Sequence, residues 1–193
     1  PIDSETRARR KKRTVKRWVD FAWRAARDRR YLEPARDNAK FGIEQLAALE
    51  SEHPSLGKLR KYVARKVIGR ARSRRRRGKL DEAEKMLRTL LDVVPESGRT
   101  QRALSRVLIA RGRRLLKKEE IAKATELARE SLKLDPEGLE PQFYAIDILI
   151  ADDKLQDAAR AYNAILKKHR RNKQARRGLR KLRGLRGKRK RSK

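Results

Sequence analysis

Apolar residues along this 193-residue chain recur at helical spacing. Val63, Val67 and Ile68 fall on one helical face, and so do Leu104, Leu108, Ile109 and Leu115. Ala83, Leu87, Leu90 and Leu91 obey the same rule in the stretch between them. No stretch alternates apolar and polar positions over a strand length, so the pattern predicts an all-α chain. Gly78 separates two predicted helices. Val94-Pro95 and Asp135-Pro136 predict helix ends, because proline disfavours helix at the residue before it. A last helix is predicted over 172–184, with Ala175, Leu179 and Leu182 on its apolar side.

The pattern repeats. Pro54, Pro95 and Pro136 stand 41 residues apart, and aligning on them brings other positions into line. Small residues stand twelve before each proline (Gly42, Ala83, Ala124), and Leu46, Leu87 and Ala128 stand eight before. Leu49, Leu90 and Ser131 stand five before. After each proline come Val67-Ile68, Leu108-Ile109 and Leu149-Ile150, then Ala71, Gly112 and Asp153. Small and apolar residues recurring this way predict stacked helix pairs, each burying its face against the next. The expected architecture is an α-solenoid of about four antiparallel helix pairs over 13–171. A basic extension over 1–12 precedes it, and a capping helix over 172–184 and a basic tail over 185–193 follow.

These residues resemble the tetratricopeptide family. Leu108, Gly112, Leu115, Ala124 and Pro136 fit its spacing, Ala71, Ala83, Leu87 and Pro95 fit nearly as well, and Ala158 and Tyr162 fit in the last unit, where Arg170 replaces the proline. The likeness covers about 64–170, and 13–54 weakly. The 41-residue step is seven longer than the family's 34, about two helical turns, most simply added to the first helix of a pair. HEAT-like arrays also step by about 41, so the repeat class stays open between the two. The resemblance implies that first helices line a concave groove. Family modules that clamp a partner's C-terminal carboxylate use Asn and Lys on first helices, and the first helices of units two to four contain no Asn.

Charge changes the picture most. The 57 Lys and Arg outnumber 25 Asp and Glu, and they are unevenly placed. Residues 1–79 hold 26 basic and 9 acidic groups, 80–166 hold 15 and 16, and 167–193 hold 16 and none. Two cationic ends imply a polyanionic partner, and nucleic acid is the usual one at this density, because neutralising phosphates releases counterions. Arg outnumbers Lys by 36 to 21, which suits bidentate phosphate contacts and stacking on bases. From His53 to Leu80, and again from Ser97 to Lys118, there is no acid at all, whereas the second helices are acid-rich. By the resemblance, the groove would be cationic.

The candidate nucleic-acid-binding residues follow. In the first basic run they are Arg7, Arg9, Arg10, Lys11, Lys12 and Arg13. Arg27, Arg29 and Arg30 close the first helix of unit one. Arg60, Lys61, Arg65, Lys66 and Arg70 lie along the first helix of unit two, which ends in Arg72, Arg74, Arg75, Arg76 and Arg77. Arg111, Arg113, Arg114, Lys117 and Lys118 end that of unit three. Clusters at one edge would form a ridge able to track a phosphate backbone. Toward the C-terminus come Arg170, Arg171, Lys173, Arg176, Arg177, Arg180, Arg183, Arg186, Lys188, Arg189, Lys190 and Arg191. Both runs are expected to be disordered when free. Extensions that thread folded RNA are a ribosomal-protein habit, and a nuclear localisation signal is a rival meaning of the last basic hexamer. In unit four, Glu137, Glu140, Asp147, Asp152 and Asp153 replace the bases, suggesting a basic or neutral protein neighbour. Trp18 and Phe21 fit core packing. Trp23 also stands beside the basic run, where an aromatic can stack on a base.

Other chemistry is hard to place. There is no cysteine, and His53 and His169 are isolated, so no metal site or cofactor is expected. Phosphate-loop, zincin and nucleophile-elbow motifs are missing, so the chain is read as a non-enzyme. No run of 18 apolar residues occurs, and the polar, basic start has no apolar leader segment. The expected setting is cytoplasmic, ribosome- or nucleoid-associated, or organellar, and not secreted. The sequence thus predicts an architectural RNA-binding protein of a ribosome or similar particle. The alternatives are a DNA-packing protein and an adaptor for acidic protein partners.

Overall fold

A computed structural model of the chain describes residues 3–191, and from residue 185 onward the backbone alone. Among the described residues all regular structure is helical: nine helices and no strand. The chain divides into two compact units after Leu104.

In the first unit, α1 (Ser4–Arg27) packs on α2 (Ala39–Leu49), and α3 (Pro54–Arg76) packs on α4 (Leu80–Val93). The basic run expected to be a disordered extension through residue 12 lies inside α1. The Asp3 side chain caps that helix by accepting from the Thr6 amide at 2.6 Å, and Glu5 pairs with Arg9 one turn on. Ala22, Ala25 and Ala26 give α1 a stripe of small buried residues. They allow α2 to approach closely: a methyl group on Gly42 would stand 2.8 Å from the Ala22 Cβ. Trp18, Phe21 and Phe41 pack edge to face at 5.5–6.5 Å between centroids, so Trp18 and Phe21 serve the α1–α2 interface. Trp23 lies apart, against Tyr62 of α3 at 5.6 Å.

The three prolines do different jobs. Pro95 and Pro136 stand two residues beyond the ends of α4 and α6 (Ile121–Leu134), whereas Pro54 opens α3, where a missing N–H costs nothing. The step also varies. The buried alanines that open the second helices are Ala83, Ala124 and Ala158, first 41 and then 34 residues apart. The second helices α4, α6 and α8 (Leu155–Lys168) are all 14 residues long. The first helices absorb the difference: α3 has 23 residues, α5 (Gly98–Leu116) has 19 and α7 (Leu139–Ala151) has 13.

In the second unit α7 is apolar nearly all round, because it is covered on two sides. Tyr144 and Ile148 pack with Ile109 of α5 and with Ala124 and Ala128 of α6. Phe143 and Ile146 pack with Ala158, Tyr162 and Ile165 of α8, and with Ala175 and Leu182 of α9 (Lys173–Arg191). The last helix is therefore longer than the predicted 172–184, with its apolar side in place. Glycine positions two of the tyrosines. Gly112 and Gly178 lie under the rings of Tyr144 and Tyr162, where any side chain would collide. The Tyr144 hydroxyl donates to the Ala124 carbonyl at 3.1 Å.

Candidate nucleic-acid interface

The α3 helix has two opposite faces. Leu56, Leu59, Val63, Val67 and Ala71 are buried. Turned away from them are Lys58, Lys61, Arg65, Gly69, Arg72 and Arg76, at steps of three or four residues and all exposed. The five cations extend over about 27 Å of helix at 1.5 Å per residue. Among the described residues no carboxylate lies within ion-pair distance of any of them. Arg65 lies 5.7 Å from the centroid of the Tyr62 ring, with Lys66 at 5.4 Å. At Gly69 the helix surface is open: nothing stands within 4 Å of where a side chain would be.

Moving 41 residues along carries Lys58, Lys61, Arg65, Gly69, Arg72 and Arg76 onto Arg99, Arg102, Arg106, Ala110, Arg113 and Lys117 of α5. Charge and gap both recur, but the surroundings differ. Arg106 pairs with Glu140 of α7 at 3.2 Å, and Arg113 pairs with Asp147 at 3.7 Å. Each pair spans 34 residues and so joins repeat-equivalent positions of adjacent first helices. Burial pushes the Asp147 carboxyl above its ordinary range, and Arg113 draws it part of the way back. Burial also lifts the Tyr144 hydroxyl to about 12.

The remaining candidates separate into exposed cations and cations already engaged. Arg7, Arg10, Lys11, Lys12 and Arg13 are exposed on α1. Arg13 joins Lys16, Arg17 and Arg24 around a shallow depression that also includes Asp20 and Phe21. Arg27 and Arg29 are exposed at the end of α1, but Arg30 is a clip for the α1–α2 loop. Its guanidinium bonds Asp28 at 3.0 Å and also the side chain of Asp37, contacts that raise its pKa. Arg70 lies 4.8 Å over Tyr31 and donates to the Arg29 carbonyl, tying the end of α1 to α3. Arg74 pairs with Glu82 at 2.7 Å, and Arg60 is half-buried. Lys61, Lys66, Arg76 and Arg77 are open, and Arg75 is half-buried. Near the end of α5, Lys117 and Lys118 are exposed, whereas Arg111 and Arg114 have partners of their own.

Arg170, Arg171, Lys173, Arg176, Arg177, Arg180 and Arg183 are exposed around and along α9, with Arg176 donating to the Arg170 carbonyl at 2.7 Å. The side chains of Arg186, Lys188, Arg189, Lys190 and Arg191 lie outside the described residues. The acids of α7 and its flanks are engaged within the chain. Glu137 reaches Lys168, Asp152 reaches Lys154, and Glu140 and Asp147 hold the α5 arginines. Reading the clusters as runs missed Lys58, Arg99, Arg102 and Arg106. Applying the 41-residue step to the basic residues themselves finds them.

Neither a family model nor a curated protein matches the sequence. Solved structures do match the fold. The TPR domain of P58(IPK) superposes with a TM-score of 0.52 at 18% identity, covering 78% of this chain and 42% of that one. A tetratricopeptide repeat protein from Parabacteroides merdae gives a TM-score of 0.44 at 14% identity, covering 94% and 75%. The chain thus spans less than half the length of the P58(IPK) domain structure. It has a tetratricopeptide-like helical-repeat fold. Among the described residues no helix is long and apolar enough to cross a membrane.

Proposed function

We propose that this chain is an architectural helical-repeat protein that binds nucleic acid through its phosphates. RNA is the preferred partner, and a ribonucleoprotein particle such as the ribosome is the setting. The supporting observation is the α3 face, with five exposed cations in a line and no carboxylate beside them. Holding these charges together costs self-repulsion in the free protein, which a polyanion removes while releasing its own counterions. The open space over Gly69 lets a sugar–phosphate backbone approach the helix closely. The exposed cations of α1 and α9 extend the same chemistry. The arginine excess favours bidentate phosphate contacts, and the sparse aromatics favour recognition of shape and backbone over base sequence.

The test is binding to an RNA hairpin, measured by fluorescence anisotropy across a salt series. If five phosphates are neutralised, log Kobs should fall against log salt with a slope of about −4.5 for a duplex or about −3.5 for a single strand. For the duplex, that is roughly a 500-fold loss between about 50 and about 200 mM salt. A loss below about tenfold over that range would sink the proposal. Duplex DNA of equal length at equal salt checks the RNA preference. Polyglutamate is the third arm. If it displaced RNA at comparable charge concentration, the face would instead belong to an adaptor for acidic proteins, a role the tetratricopeptide-like fold also suits.

A further inference from the structure

We infer that α5 carries a second phosphate-docking face and that Glu140 and Asp147 keep it closed. This deepens the reading of α3 and rests on it. The two faces are copies: in the repeat register, Arg106 stands for Arg65, Arg113 for Arg72, Lys117 for Arg76 and Ala110 for Gly69. Side-chain chemistry and spacing would let the second face bind what the first binds. What differs is the neighbour. At the next repeat-equivalent positions the sign inverts, and the α7 carboxylates occupy the two guanidinium groups at 3.2 and 3.7 Å.

A carboxylate held there does what a phosphate oxygen would do. It is tethered, so its effective concentration at the guanidinium is high, and a phosphate must first displace it. The exchange trades one anion for another and gains little of the counterion release that drives binding to an open stripe. The two acids are not needed to seat α7. Tyr144 over Gly112, its bond to Ala124, and Ile148 against Ile109 already fix that helix. Both pairs are about half exposed, where ion pairs contribute little to stability. Their cost in binding is thus separable from any role in folding.

The decisive variant is the double substitution Glu140→Gln with Asp147→Asn in the full chain, assayed on the same RNA hairpin across the same salt series. Opening two arginines should steepen the log–log slope by about 1.8 for a duplex, or about 1.4 for a single strand, and raise low-salt affinity about tenfold. A charge-matched control, Glu50→Gln with Glu52→Gln, adds the same net charge in the turn between α2 and α3, on neither helix face, and should leave the slope at the wild-type value. Adding Arg106→Gln and Arg113→Gln to the first variant should cancel the gain. Those two arginine changes alone should leave wild-type affinity within about twofold, since the residues are already occupied. A wild type with a steep slope whose acid-free variant matches the control overturns the closed-face inference alone. So does a large loss from the arginine changes alone. A flat wild-type slope instead overturns the nucleic-acid reading of α3, and this inference with it.

Discussion

The exposed faces of α3 and α5 are nearly the same in sequence and opposite in state. Both carry cations at matching positions with a small residue between them. On α3 none of the five cations has a carboxylate beside it among the described residues, whereas on α5 the two central arginines hold Glu140 and Asp147. Basic content alone therefore does not say which cations are open. What matters is whether the fold brings an acid to the same place. Of the successive first helices, α3 and α5 present bases, and α7 presents acids at the equivalent positions.

The largest expected effect breaks the comparison on the α3 side. Changing Lys58, Lys61, Arg65, Arg72 and Arg76 together to Gln should remove most of the salt dependence and cost RNA affinity roughly 100-fold or more at low salt. Circular dichroism should stay unchanged, because all five side chains are exposed. If affinity stayed within about threefold, the dominant surface would lie elsewhere, with the α1 depression around Arg13 and Arg24 the next candidate.

A smaller effect sharpens the α5 side through its packing. Gly112→Val drives a side chain into the Tyr144 ring and should destabilise the second unit by about 1–3 kcal/mol, read by urea unfolding. Loosening α7 should also weaken its hold on Arg106 and Arg113, so RNA binding by the still-folded fraction should gain salt dependence. Gly98→Val, with open space around its position, should show neither effect beyond a few tenths of a kcal/mol.

The smallest effect compares the two gap residues. Gly69→Ala should stabilise the fold by up to about 1 kcal/mol, since nothing opposes the added methyl, and Ala110→Gly should cost about as much. If the gap matters for backbone approach, Gly69→Ala should weaken RNA binding while raising thermal stability. A stabilised protein with unchanged affinity would show that Gly69 has no part in docking.

Much of the fold was legible in the sequence, and the reasons are local. Ala83, Leu87 and Leu90 bury one side of a 14-residue helix because helical spacing puts them there. Of the residues quoted for the tetratricopeptide likeness, Ala71, Ala83, Leu87, Leu108, Gly112, Ala124, Ala158 and Tyr162 are all buried. The start of α1 was misread because its charge obscured quieter signals: the Asp3 cap, the Glu5–Arg9 pair and a stripe of alanines. The loop between α1 and α2 was also hidden. Arg30 reads as one more base until the chain turns and sets Asp28 and Asp37 against it.

The sequence by itself determined helix, repeat and sign: apolar spacing, the recurring small residues, and two long acid-free first helices. The tertiary structure decided which cations are open. Whether an arginine is available depends on a partner 34 residues away, as for Arg106 and Glu140, or seven, as for Arg30 and Asp37. An ion pair needs atoms within a few ångströms, and only packed helices and closed loops bring such distant residues that close. Composition counts the charges, but the fold decides which of them are already matched.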